Sequence, residues 1–154
     1  MGSMSDSEFQ ARVSASLAST DSLAAAAGFE FVPADKGRGR MRVAWRADLV
    51  DEAGTGSLAP GLITALLDHC CGMAIPSDPG ASGPMTATLD LRIDFLRPAA
   101  PRCGVIAEAY CYHKADGLAF VRAEAWDQDQ ANPIATVQAT FVMTGASPGS
   151  GSRS

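Results

Sequence analysis

Apolar residues first recur at four-residue steps, with Phe9, Val13 and Leu17 inside residues 5–27, the spacing of one face of a helix. Thr20, Asp21 and Ser22 interrupt that face. Asp21 or Ser22 suits the cap of a second, alanine-rich helical piece ending at Gly28. A short side-chain oxygen satisfies first-turn N–H groups, and glycine accepts the left-handed exit. Residues 29–33 read as a short strand, 35–39 as a turn, and 40–45 as a strand in which Met41, Val43 and Trp45 alternate with other positions. A glycine-bearing loop over 51–57 leads to Pro60, whose missing N–H suits the first position of a helix. From Gly61 to Ile75 almost every residue is apolar, which predicts a helix buried on most sides.

Pro76, Pro79, Gly80 and Gly83 then break the chain, and four strand-like segments follow, over 88–96, 105–112, 119–126 and 134–143. In the first, Leu89, Leu91, Ile93 and Phe95 alternate with Asp90, Arg92 and Asp94, the pattern of an antiparallel strand with one wet face. Arg97-Pro98 ends it. Residues 114–117 and 127–133 are hairpin-sized separators. The order of helix, two strands, one apolar helix and four strands predicts an α+β domain. In it a curved antiparallel sheet wraps the helix and leaves open edges for a second copy to pair or cover.

The length of 154 residues suits one domain, and 47% apolar against 19% charged residues is the balance of a folded core. The expected boundaries are an expression scar (Met1-Gly2-Ser3, with Met4 as native start) plus helical extension over 1–27, the main domain over 28–145, and a disordered Ser/Gly-rich tail over 146–154. A net charge of −5 supplies no electrostatic reason to meet nucleic acid or an anionic membrane. No apolar run approaches the roughly 20 residues of a bilayer span, and the N-terminus lacks a secretory pattern. Adjacent Cys70 and Cys71, with Cys103 and Cys111, fit neither a disulfide framework nor a metal spacing. Four buried thiols in a cytoplasmic protein is the reading.

Two stretches resemble the hotdog-fold acyl-CoA thioesterase superfamily, of the phenylacetyl-CoA and 4-hydroxybenzoyl-CoA (PaaI-like) type. Leu58-Ala59-Pro60-Gly61-Leu62-Ile63-Thr64-Ala65-Leu66-Leu67-Asp68 is similar to that family's His-Gly-Gly-x-x-x-x-Leu-Leu-Asp pattern, in part. Residues 86–99, with Phe95-Leu96-Arg97-Pro98-Ala99, match its strand ending Phe-Leu-Arg-Pro-Ala, and 135–142 resembles its closing strand. The likeness covers roughly 35–144. It implies the hotdog fold, an antiparallel sheet around one long central helix, here with an N-terminal helical extension. It also implies homodimers joined at sheet edges and often homotetramers. Sites then lie at the subunit interface, where the helix N-terminus of one copy faces a carboxylate of the other. The implied substrate is an acyl group on coenzyme A or a carrier protein, with no cofactor beyond coenzyme A as part of the substrate and no metal.

Asp68 is the lone carboxylate of the apolar helix, and Asp is rarely buried without a partner. It either pairs structurally, with Arg92 or a backbone turn, or serves chemistry. The resemblance implies the second, as nucleophile or general base for water at a thioester carbonyl. Such chemistry also needs donors for the developing oxyanion, and unpaired N–H groups at a helix N-terminus supply them. The family's main donor falls at Pro60, which has no N–H, so Gly61 is the neighbouring candidate. The family histidine falls at Ala59, and its frequent Asn or Gln at Ala53. Thr88 lies where similar enzymes carry a hydroxyl that positions water. His69 adjoins Asp68 but lies about 100° around a helix, an interface or core position, although its pKa range keeps it eligible. Arg97 and Arg102 suit either a nucleotide phosphate or a solvated surface, and His113 reads as solvated.

The expected site is therefore Asp68, Gly61 and Thr88 for catalysis, with Pro60, Ala59, His69 and Arg97 against substrate. The expected function is thioester hydrolysis. Two alternatives stand beside it because Ala53, Ala59 and Pro60 replace polar or N–H-bearing positions: a hotdog protein that binds an acyl thioester or related ligand without hydrolysis, and a dehydratase or isomerase.

Overall fold

The computed structural model describes residues 22–35, 37–76 and 86–143. The expected helix around Phe9, Val13 and Leu17, most of the proline- and glycine-bearing loop after Ile75, and the Ser/Gly-rich tail lie outside the described residues. The first described helix, α1, spans Leu23–Ala27. Of the two candidate caps Ser22 serves, its Oγ accepting from the Ala25 N–H at 3.0 Å, and Gly28 at φ 72° closes the helix. Strands β1 (Glu30–Val32) and β2 (Arg38–Val43) follow, then a 3₁₀ turn at Ala47–Leu49 and the long helix α2, Pro60–Ala74. The remaining described elements are β3 (Thr86–Phe95), β4 (Val105–Ala115), β5 (Leu118–Trp126) and β6 (Ala135–Met143).

The six strands form one antiparallel sheet in the order β1-β2-β4-β5-β6-β3. β3 and β1 are thus its edges. Ile63, Leu66, Leu67, Cys70, Cys71 and Ala74 of α2 are buried against it. The sheet meets them with small residues: Ala107, Ala109, Ala123, Ala125, Ala135 and Ala139 are all buried. Small side chains on the sheet and large ones on the helix interdigitate to fill the space between layers. Helix and sheet approach closely at Gly39, where an added Cβ would stand 2.9 Å from the Cys70 carbonyl oxygen and 3.0 Å from the Ala74 nitrogen. Only glycine fits there.

Three expectations need correction. α2 is not buried on most sides: Pro60 and Gly61 are exposed, and Thr64, Ala65, Asp68, His69 and Gly72 are half-buried. One sheet covers one side of a helix, and the remaining stripe stays open. The β4–β5 separator is shorter than read, because Lys114 and Ala115 belong to β4. Asp116 and Gly117, at φ 54° and 76°, make a two-residue turn of the kind whose twist matches antiparallel strands. Only Cys70 and Cys71 are buried, while Cys103 and Cys111 are half-buried. Cys70 and Cys71 face the sheet from α2; Cys103 lies in the β3–β4 connection and Cys111 beside an irregularity of β4. Burial pushes the Cys70 thiol up to about 12 and raises that of Cys71 as well. Among the described residues, no helix is long and apolar enough to cross a membrane, and no group of three or more His, Cys, Asp or Glu is placed to hold a metal.

Candidate active site

The open stripe of α2 faces the edge strand β3, and there the structure joins two of the expected residues. The Thr88 hydroxyl donates to Asp68 Oδ1 at 2.8 Å. A regular β3 would not allow this contact. The β3–β6 ladder pairs Thr88 with Phe141 and Asp90 with Thr140, so Leu89 is an extra residue, a β-bulge. Side chains opposite each other in an antiparallel ladder lie on the same face. Phe141, Ala139, Val137 and Ala135 of β6 are buried, so their partners Thr88, Leu91, Ile93 and Phe95 share the helix side. In an unbroken ladder Leu89 would have stood opposite Phe141 and Thr88 on the outer face. The expected alternation from Leu89 to Phe95 therefore holds only from Leu91 onward. Leu89 is instead 61% exposed.

Asp68 does not pair with Arg92, which lies near Asp94 at 3.4 Å. With Oδ1 occupied by Thr88 and no donor to the other oxygen among the described residues, that oxygen keeps its lone pairs for a water or an electrophile. His69 points elsewhere: its Nδ1–H donates to the Ala65 carbonyl at 2.9 Å, and its ring meets Phe29 edge-on at 5.8 Å. His113 is exposed, with its ring 5.8 Å from that of Phe120.

At the start of α2, Ala59 is the N-cap without a side-chain cap bond, and Pro60 is the first helical residue. The Leu62 and Ile63 N–H groups both donate to the Ala59 carbonyl, at 3.0 and 3.2 Å. Among the described residues no acceptor takes the Gly61 N–H, and a Cβ at Gly61 would meet nothing within 4 Å. Gly61 therefore offers a free amide beside open space at the positive end of the helix dipole. Ala53 is exposed in the preceding loop.

Both Nη groups of Arg97 are engaged within the chain. They donate to both Asp127 oxygens at 2.9 and 2.7 Å, to Pro98 O at 3.1 Å and to Asn132 O at 2.7 Å. The Arg97 Nε is buried without a partner among the described residues. The Nη groups are taken up within the chain and the Nε–H is buried, so none faces outward for a phosphate and Arg97 acts as a clip. Its guanidinium, with the Ala100 and Gln128 N–H groups, holds the Asp127 carboxyl well below the usual carboxylate range. Arg102, exposed at φ 58°, is the arginine of this loop left facing solvent. The residues that sequence reading missed are Leu89, hidden because a bulge has no residue signature beyond a phase change, and the buried Ser57, unremarkable in a loop rich in small residues.

The thioesterase superfamily model matches residues 55–134, just over half of the chain. Comparison with curated protein sequences returns no match. Among solved structures, a Pseudomonas aeruginosa protein is 28% identical over 87% of this chain and 98% of its own, with a TM-score of 0.73. The Escherichia coli PaaI protein from the phenylacetic acid degradation operon is 21% identical, covering 92% of this chain and 97% of that one, with a TM-score of 0.73. Zebrafish thioesterase superfamily member 2 is 18% identical over 92% and 99%, with a TM-score of 0.74. The central helix, the antiparallel sheet around it and the matched segment together make this chain a hotdog-fold member of the thioesterase superfamily.

Proposed function

We propose that this protein hydrolyses acyl thioesters of coenzyme A or of an acyl carrier protein, with Asp68 as nucleophile or general base. The observation that carries the reading is the Thr88–Asp68 hydrogen bond on the open stripe of α2. Thr88 orients the carboxylate and leaves one oxygen toward the space where substrate would lie. As general base, Asp68 takes a proton from water while the water oxygen bonds to the thioester carbonyl carbon. The carbonyl oxygen takes the negative charge and accepts from Gly61 N–H. The C–S bond then breaks, and the thiolate leaves and is protonated.

Helix geometry supports a site built from two copies. Gly61 and Asp68 are seven residues apart, so they share a face of α2 but lie about 10 Å apart along its axis. One carbonyl cannot lie about 3 Å from both groups of the same helix. A second copy, related by a two-fold axis and joined along β3, would bring its Gly61 to this Asp68 and give two equivalent sites per dimer. Ala59 and Pro60 then border the acyl group at the start of the helix. His69, turned toward Phe29, lies away from it.

A second reading is favoured by the start of α2 itself. Pro60 has no N–H and Ala53 and Ala59 carry no polar group, so the site has a single amide where losing one oxyanion donor typically costs about 10²–10³ in rate. On this reading the protein binds an acyl thioester without hydrolysing it. Thiol release from aryl-, short- and medium-chain acyl-CoAs, with Asp68→Asn as control, separates the two. We expect turnover that falls at least about 10²-fold in the variant while its far-UV spectrum is unchanged. Acyl-CoA binding without turnover in the native chain would establish the second reading.

A further inference from the structure

Among the described residues Ser57 is the one polar residue in the buried class, at 4% exposure. A buried hydroxyl is costly without a partner, and a loop serine that only filled space could as well be alanine. Ser57 does have a partner: its Oγ–H donates to the Ala99 carbonyl at 2.6 Å, across 42 positions of sequence. It stands four residues before Gly61.

The segment that receives this bond is itself held. Asp127, its side chain only 2% exposed, accepts from the Ala100 N–H at 2.8 Å and from both Nη groups of Arg97. Next to Ser57, the Gly56 carbonyl accepts from Trp45 Nε1–H at 2.8 Å and from the Arg102 N–H at 3.0 Å. The loop leading into α2 is thus moored to the β3–β4 connection, and that connection to the end of β5. The last side-chain link before the helix is Ser57.

We propose that Ser57 is a positioning residue for the Gly61 amide, with the Arg97–Asp127 clip as its anchor through Ala99 and Ala100. The inference rests on the reading of Gly61 N–H as oxyanion donor. Donors act at full strength only when held in place before the charge develops, and a misplacement of about 1 Å can cost roughly 10² in rate. A donor held by Ser57 contributes in the transition state more than in the bound substrate, so its loss lowers kcat rather than raising KM.

The test compares Ser57→Ala and Ser57→Thr in the full chain, with Asp127→Asn as a second route to the same contact. The substrate is the acyl-CoA turned over fastest by the native protein, and backbone amide hydrogen exchange is followed by NMR. For Ser57→Ala we expect kcat about tenfold lower with KM within about twofold, and faster exchange at the Leu62 and Ile63 N–H groups, which bond to the Ala59 carbonyl, but not along β3. Ser57→Thr, which keeps the hydroxyl, recovers most of the rate. Asp127→Asn shifts kcat in the same direction. Unchanged kcat and exchange in Ser57→Ala, beside Asp68-dependent turnover in the native chain, would overturn the role of Ser57 alone. So would a loss of kcat that merely follows a loss of folded protein and is not recovered by Ser57→Thr. Faster exchange at Leu62 and Ile63 in Ser57→Ala, with no thioester turnover by the native chain, would sustain the positioning role at the start of α2 and sink the thioesterase reading.

Discussion

At the scale of single residues, the candidate site depends on one hydroxyl and one carboxylate. A hydrogen bond to a charged group is worth about 1.5–3 kcal/mol, so Thr88→Ala should lower kcat by roughly 10–100-fold while Thr88→Ser keeps most of it. Steady-state kinetics on a single acyl-CoA checks this, and equal rates for Thr88→Ala and the native chain would remove Thr88 from the mechanism. Asp127 has a different kind of prediction attached. Its carboxyl is depressed first by the hydrogen bond from Arg97, so its ionised form favours the folded state. That contribution is present above the unfolded carboxylate value of about 3.9 and is lost as pH falls through the lower folded value. Urea midpoints of native protein and Asp127→Asn should therefore differ most near neutral pH and converge as pH drops below about 4. A gap that stays constant down to pH 2 would contradict this. Asp68 and Thr88 were both visible in the sequence as chemistry-bearing residues. Their contact was not, because it depends on an extra residue, Leu89, that shifts the face of β3 without interrupting the alternation of apolar and charged residues in the sequence.

At the scale of elements, the helix and sheet fit through small residues. Gly39 sits where β2 runs under the second half of α2, with backbone atoms 2.9 and 3.0 Å from any added Cβ. Backbone on both sides cannot yield as a side-chain tip can. Gly39→Ala should therefore destabilise the fold by about 1–3 kcal/mol, read as a lower urea midpoint at unchanged slope. A neutral result would mean that α2 shifts freely over the sheet. The strands and the long helix were legible because alternation and uninterrupted apolarity are properties of consecutive residues. The open stripe of α2 was not legible, since exposure depends on how far the sheet extends around the helix. The two-residue turn at Asp116-Gly117 was written in the sequence as a known hairpin pair, yet the polar Lys114 beside it made the break look wider than it is.

At the scale of the whole molecule, β3 is an edge of the sheet with no second neighbouring strand among the described residues. Leu89 at 61%, Leu96 at 57% and Phe95 at 46% exposure lie on or beside a strand edge that no other described strand pairs, an arrangement that invites another strand. If a second copy pairs there and completes the site, Leu89→Glu should convert a dimer to a monomer in sedimentation velocity and remove turnover together with it. A dimer that persists in the variant with full activity would place the subunit contact elsewhere. The sequence by itself determined the fold class, the family and the central helix with its single carboxylate, because periodicity and motif order survive in a linear text. Tertiary structure alone decided which side of that helix stays open, that a bulge turns Thr88 toward Asp68, that Arg97 is spent on Asp127, and that Ser57 ties the start of the helix to Ala99. Each of these joins residues at least 20 positions apart, or turns on which face of a strand a side chain takes, and neither is set by neighbours in sequence.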